Sequence, residues 1–435
     1  MNLGFIFFVS FLIGVNCHRL EKIHGVLDVP YIVDIDSDSN TYIIDINQYN
    51  STSRFYKLNH EKEILLTKEL PCPIVNMIIN KRNDVYLFTP KVENENNERK
   101  INPLVRVPRV LKLGSTDLKE LDEFSMPDVR LHSIPFLDEE DYLYYNTQDG
   151  VAMLKPDMES PIQIKNLESM SIDNDPFAMR ILTVSTVDKL GNVFFGLHKI
   201  KESEFYVAVL EKEEKDKEQP TAKYLDNVVD KLSHVTEMVV DDDNSIWFAT
   251  MDGQLRKMKD GKVDVVLQDD LSMFHSLELA KDRIYFFGQS FTEELKCSVL
   301  YVTFDGKTHQ IPELSNLDAG LCVNSKIVPD SKGNVYISFF EPTEKGHRVV
   351  FINRETNEIK GVFNENFPET LSMMVDDNDD LWILHKNLYF VEKGTENPVL
   401  VPGLLPGSDY YGMKLNKKTK EIFIIGGSGV YVLSK

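Results

Sequence analysis

Residues 376–394 read DDNDDLWILHKNLYFVEKG. An Asp/Asn turn leads into a strand-like run of aromatic and aliphatic residues, and a polar break separates it from a second such run. The phrase recurs along the chain. Clear copies are DKLGNVFFGLHK (188–199), DDDNSIWFATMDGQLRKM (241–258) and DSKGNVYISFFE (330–341). Looser copies are DSDSNTYIIDI (36–46), NKRNDVYLFTP (80–90), DEEDYLYYNTQDGVAMLKP (138–156), AKDRIYFFGQS (280–290) and NKKTKEIFIIGGSGVYVLSK (416–435). Nine copies at a near-constant period set the architecture before any single residue does.

The first apolar residue after each turn serves as a ruler: Tyr42, Val85, Leu143, Val193, Ile246, Ile284, Val335, Leu381 and Ile422, about 48 residues apart on average. The longest gap contains PKVENENNERKINP (90–103), a polar insertion read as a loop. Each copy holds about four strand-like runs joined by Asp, Asn or Gly, which supply tight-turn geometry. Helical periodicity is scarce, with KLGSTDLKELDEF (112–124) the nearest candidate. Four antiparallel strands in a 40–50-residue repeat predict an all-β chain, a β-propeller of four-stranded blades. Literal counting gives nine blades. Seven or eight stay open if the second or sixth copy is a distorted insertion. The ninth copy stops one strand short, and KIHGVLDV (22–29) is a spare run that would complete it, hiding two sheet edges.

The 435 residues exceed the usual size of one globular core, but a propeller grows by adding blades. The expected organisation is a signal peptide over residues 1–17 (MNLGFIFFVSFLIGVNC) and a single propeller domain over 18–435. No other apolar run reaches spanning length, so a secreted, extracellular protein with no membrane partner is expected. Cys72, Cys297 and Cys322 remain after such cleavage, and Cys297 and Cys322, in adjacent copies, are the expected disulfide. Asn50-Ser51-Thr52 is a glycosylation sequon. A net charge of −21 opposes binding to nucleic acid and anionic lipid.

Candidate functional residues divide into two sets. The alternation Asp34, Asp36, Asp38, Asn40 with Asp45 resembles a calcium loop, but Ser39 replaces its glycine. The same place in other copies carries Asp-rich turns, so a structural turn is the stronger reading. The second set lies just ahead of each innermost strand, where a propeller opens onto its channel: Asn76, His132, Ser133, Glu237, His275, Ser276, Ser325, Ser372 and Tyr411. It is a polar ring with one carboxylate and no hydrolase motif, so neither catalytic residue, metal nor cofactor is expected. Trp247 and Trp382 occupy matched places and read as core. Gly426-Gly427-Ser428-Gly429 reads as a hairpin, since no helix follows it.

The terminal run EIFIIGGSGVYVLSK (421–435), with the leader and the Asn/Lys/Asp/Ile-rich repeats, resembles the secreted insect propellers grouped with ommochrome-binding proteins. Elsewhere the repeats are similar to those of NHL-type and SMP-30-like propellers. The resemblance implies non-enzymatic binding of an ommochrome-like pigment or aromatic tryptophan metabolite at the channel mouth. The alternatives are an extracellular protein-interaction scaffold, with a protein partner, and an SMP-30-like metal-dependent hydrolase.

Overall fold

The computed structural model describes residues 19–23, 30–47, 52–70, 74, 76–90, 108–113, 118–123, 135–147, 150–158, 160–168, 180–199, 204–225, 234–269, 272–290, 296–315, 317–318, 325–341, 346–365, 372–404 and 410–434. The leader, Asn50, Cys72, His132, Ser133 and Cys322 lie outside these residues.

Nine antiparallel sheets, each with a path of four strands, form the blades of a β-propeller; in the sixth a short extra strand, Leu317–Asp318, also pairs with Lys296–Thr303. Blade 1 holds Pro30–Ile35, Thr41–Asn47, Thr52–Leu58 and Ile64–Leu70; blade 2 holds Asn76–Ile79, Val85–Pro90, Pro108–Leu113 and Leu118–Glu123. Blade 3 holds Phe136–Leu137, Leu143–Thr147, Gly150–Leu154 and Ile162–Glu168; blade 4 holds Arg180–Val187, Val193–Lys199, Glu204–Leu210 and Lys223–Tyr224. Blade 5 holds Val235–Val240, Ile246–Thr250, Gln254–Lys259 and Lys262–Gln268; blade 6 holds Ser272–Ala280, Arg283–Ser290, Lys296–Thr303 and Thr308–Gln310. Blade 7 holds Lys326–Pro329, Val335–Glu341, Gly346–Ile352 and Ile359–Glu365; blade 8 holds Ser372–Val375, Leu381–Leu384, Leu388–Val391 and Val399–Val401. Blade 9 holds Tyr410–Leu415, Ile422–Gly426 and Gly429–Ser434, with Arg19–Lys22 as its fourth strand. Nine blades settle the number. The completing strand is RLEK, which precedes most of the expected KIHGVLDV run; residues 24–29 of that run lie outside the described set. An outermost strand needs only one apolar face, so Leu20 packs inward while Glu21 and Lys22 are exposed. Leu118–Glu123, inside the run with the nearest helical pattern, is a strand paired with Pro108–Leu113.

The blades belong to two compact units, one made of Met1–Leu70 with Ser372–Lys435, the other of Pro71–Leu371. In both, the core is a series of layers between neighbouring blades. In the larger unit Tyr144, Val151 and Met153 of blade 3 pack on Phe195, Leu197 and Ala208 of blade 4. Phe194 of blade 4 packs on Phe248 of blade 5, Trp247 of blade 5 on Phe286 of blade 6, and Tyr285 of blade 6 on Ile337 of blade 7. In the smaller unit Trp382 and Leu388 of blade 8 pack on Ile424 and Tyr431 of blade 9, while Phe423 and Val432 of blade 9 pack on Ile43 and Tyr56 of blade 1.

The turn between first and second strands explains the repeated Asp and the repeated aromatic. Asp241 Oδ1 accepts the N–H groups of Asp243 (2.9 Å) and Ser245 (2.8 Å), and Oδ2 accepts Trp247 Nε1–H (2.9 Å). Asp376 repeats this with Asn378, Asp380 and Trp382; Asp138 does so with Glu140, Tyr142 and Tyr144. Asp36 accepts from Asp38, Asn40 and the Tyr42 hydroxyl, so its oxygens serve the turn. A buried carboxylate is costly unless paired, and these donors satisfy it. Both tryptophans are fully buried, as the sequence indicates.

One insertion interrupts the pattern. The single-turn helix Lys212–Lys215 between the third and fourth strands of blade 4 carries Lys215 to blade 3. Lys215 Nζ lies 2.7 Å from Asp138 Oδ2, both side chains inaccessible to solvent. The segment after it runs along the outer edge of blade 3, where Lys165 N–H donates to Pro220 and Ala222 N–H to Lys165. An open strand edge is thereby covered.

Replacing Asp241 by Ala removes the acceptor for three donors, two of them backbone. Chemical denaturation should show a loss of about 2–4 kcal/mol. Asp243→Ala, which alters an exposed neighbour in the same turn, should cost less than about 0.5 kcal/mol.

Candidate functional site

The first strands of blades 4, 5, 6 and 7 pack side by side on the axis side of their sheets. The first strand is extended but not regular. Its register shifts between Leu182 and Val184 in blade 4, Val235 and Glu237 in blade 5, and His275 and Glu278 in blade 6. A bulge removes amides from the ladder and re-aims side chains. In blades 4 and 5 the extra residue is threonine. Thr183 Oγ1 donates to Gly196 O (3.1 Å), and Thr236 Oγ1 lies 3.2 Å from Ala249 O and 2.8 Å from Phe274 O. The last contact crosses from blade 5 to blade 6. Gly196 leaves room for the close approach, since a Cβ there would sit 2.6 Å from Val184 Cγ1.

At the blade 6 bulge Ser276 adopts φ 58°, a left-handed conformation that is strained for a residue with a side chain. The Ser276 and Leu277 amides both turn to blade 5, where the Glu237 carboxylate accepts them. Glu278 follows, opposite Tyr285 on the second strand. Burial pushes the Glu278 carboxyl up to about 7, and the charge of Glu237 adds to the rise. Burial also raises Glu237, against the pull of its two amide donors. His275 stacks on Phe287 (ring centroids 5.5 Å apart), its Nδ1 is 3.1 Å from Ser276 Oγ, and burial favours its neutral form. Its Nε2 is buried with no hydrogen-bond partner among the described residues. Glu237 thus reaches from blade 5 onto the strand of blade 6 that carries His275 and Glu278.

Of the ring expected from the sequence, this unit brings together Glu237, His275 and Ser276. All three lie inside their innermost strands rather than ahead of them, because those strands start earlier than their apolar runs. Asn76 opens the first strand of blade 2, its Oδ1 accepting the Met77 N–H at 2.8 Å. Ser325 is buried just before the first strand of blade 7. Ser372 opens the first strand of blade 8, and Tyr411 is the residue skipped at a register shift in blade 9. Glu278 is missing from the expected set. The available signal is H-x-x-E, which occurs as HVTE at 234–237 and HSLE at 275–278, the first spanning the start of the first strand of blade 5 and the second within that of blade 6.

The same phrase leads to a second feature. His198 stacks on Phe205 (4.2 Å, 12°), and Phe205 on His234 (4.7 Å, 20°). These rings come from the second and third strands of blade 4 and the entry to blade 5. His234 Nδ1 lies 3.1 Å from Met251 Sδ. Burial depresses both imidazoles, and His198 further depresses His234. Among the described residues no group of three or more His, Cys, Asp or Glu side chains could hold a metal ion.

No protein-family model matches the sequence, and no curated protein matches it. Solved structures do. The Dos1 propeller superposes with a TM-score of 0.52 at 10% identity, covering 96% of this chain and 94% of that one. BamB from Moraxella catarrhalis gives a TM-score of 0.45 at 9% identity over 96% of this chain and 98% of that chain. A puromycin-hydrolyzing peptidase from Mycobacterium tuberculosis gives 0.43 at 10%, over 80% of this chain and 57% of that chain. What the chain shares with the Dos1 structure is the propeller fold.

Two outcomes are expected. The depressed imidazoles contribute stability that is present above pH 6.5 and lost as pH falls below it. Thermal melts at pH 7.5 and 5.5 should therefore show a smaller acid-side loss in His234→Phe than in the parent. Cys297 is buried and disulfide-bonded, its partner lying outside the described residues. Leu317 pairs opposite Cys297 five residues before Cys322, so non-reducing peptide mapping should recover a 297–322 linked pair.

Proposed function

We propose that the chain is a secreted, non-enzymatic β-propeller that binds a small aromatic ligand on the axis side of blades 4–6. The ligand class is an aromatic compound with a protonated amine, within the range of ommochrome-like pigments and tryptophan metabolites. The carrying observation is the Glu237 carboxylate, which reaches from the first strand of blade 5 to the bulged first strand of blade 6 beside His275 in sequence. A protonated amine would supply the positive charge that the half-buried Glu237 carboxylate lacks, and the half-buried His275 offers an aromatic ring. The uncharged apolar leader and the Asn50 sequon support the extracellular setting. Among the described residues no helix is long and apolar enough to cross a membrane.

A second reading, a scaffold that binds a protein partner, rests on the outermost strands. Ile64 and Leu65 of blade 1 and Val399 and Leu400 of blade 8 are exposed, Leu65 at 56% and Leu400 at 53%. Exposed apolar residues on open strand edges are a usual ground for strand-to-strand association.

Thermal melts with aromatic amines derived from tryptophan separate the two. Ligand binding should raise Tm, the gain at a hundredfold excess over Kd being about 2.7 kcal/mol. Glu237→Gln should weaken that binding about tenfold or more, a loss of about 1.4 kcal/mol. No Tm response to any aromatic amine, with no visible absorption in the native protein, would overturn the small-ligand reading.

A further inference from the structure

We propose that His234 and Met251 form a binding site for a soft monovalent metal ion, Cu(I), where blade 5 adjoins blade 4. The site goes beyond the small-ligand reading and shares no donor with it.

The backbone sets the two donors face to face. His234 precedes the first strand of blade 5 and Met251 follows the second, and these strands pair from Val235 opposite Thr250. Met251 N–H donates to His234 O at 2.9 Å, which extends the pairing by one residue. A tight turn fixes the far side of Met251, with Gly253 N–H donating to Thr250 O at 3.3 Å and Gly253 at φ 76°. Met251 Sδ then lies 3.1 Å from His234 Nδ1.

The imidazole is also held in plane. Phe205 stacks on it at 4.7 Å, and His198, directly opposite Phe205 in the blade 4 ladder, stacks on Phe205 in turn. Half-burial favours the neutral ring, which keeps one nitrogen lone pair for a metal. Nε2 has no partner among the described residues. It can carry the ring proton while Nδ1 faces the ion.

The donor chemistry selects the ion. A thioether is a soft ligand that favours Cu(I) and gives nothing to Mg2+ or Ca2+, and imidazole suits copper as well. Zinc asks for four donors from thiolate, imidazole and carboxylate, and among the described residues no three such side chains come together. With bonds like those zinc makes, about 2.0 Å to nitrogen and about 2.3 Å to sulfur, donors at the observed spacing subtend roughly a right angle at the ion. Met251 is 44% exposed and unbranched, so its sulfur can draw back to widen that angle. The chain's net charge of −21 concentrates cations at its surface.

The test titrates the full chain, labelled with 13C at the methionine methyls, with Ag(I). Ag(I) matches Cu(I) in charge and softness and needs no reductant, so the Cys297 disulfide stays intact. Free thiols are first blocked with N-ethylmaleimide, which removes competing cysteines. Met251→Leu assigns the Met251 methyl. That methyl should shift and saturate at one equivalent, while the methyl of Met158, 42% exposed and remote from any such histidine contact, stays in place. His234→Phe preserves the ring stack and should weaken the Met251 response tenfold or more. Met251 and Met158 shifting together would overturn the site, as would an unchanged Met251 response in His234→Phe. Failure to bind an aromatic amine would leave it untouched, because no amine enters the titration.

Discussion

A buried turn carboxylate organises most blades of this propeller. Asp241 and Asp376 each tie two backbone amides and one indole N–H; Asp36 and Asp138 do the same for phenols. Each carboxylate fixes the hairpin and also positions the large ring that fills the layer against a neighbouring blade. Local turn chemistry and inter-blade packing are therefore one constraint, which is why Asp and the aromatic six residues later recur together. The turns are also chained. Lys81 N–H donates to Asp141 Oδ1 (2.8 Å), and Lys189 N–H to Asn244 Oδ1 (2.6 Å), the corresponding position of the following turn in both cases.

Blade 6 shows what happens without that carboxylate. Its turn begins at Ala280, and the buried Tyr285 hydroxyl finds no acceptor among the described residues. The joint to blade 7 is held instead by Arg354, whose guanidinium meets both oxygens of Asp282 at 2.8 and 2.7 Å, holding that carboxyl down at about 2. A half-exposed pair of this kind contributes less than a buried one. The blade with the weakest turn is also the one with the strained Ser276 and the Glu237 clamp. Its departures from the repeat are concentrated on one strand, at the axis side.

Much of the scaffold was legible because its causes are local. Seven of the nine ruler residues open the second strand of their blade, and Tyr42 and Ile284 are its second residue. The fourth strands were harder. Arg19–Lys22 (RLEK) and Leu118–Glu123 (LKELDE) have too few apolar positions in sequence to show a period. The Lys212–Lys215 helix is a single turn, too short for any pattern. Glu278 escaped because the two H-x-x-E phrases stand at different distances from their turns: Asp241 lies four residues after Glu237, Ala280 only two after Glu278. The bulges absorb that offset, and a bulge leaves no mark in the sequence. The stack of His198, Phe205 and His234 joins residues from two blades, so no local window contains it.

The buried Lys215–Asp138 pair and the half-buried acids Glu237 and Glu278 differ in kind, and the difference bears on where function resides. Lys215 and Asp138 form a closed pair: the ammonium meets the carboxylate at 2.7 Å, and the Tyr144 hydroxyl occupies the same oxygen at 3.0 Å. Every charge is answered, so the arrangement can only hold blades 3 and 4 together. Glu237 and Glu278 differ: both are half-buried acids on neighbouring first strands, and among the described residues neither is in an ion pair. Burial of that kind costs stability in every state that ionises both groups. A fold built by repetition had apolar solutions available at these positions, as Met238 and Leu279 on the same strands show. Packing alone therefore does not explain half-buried acids at these positions, and the binding proposed above does.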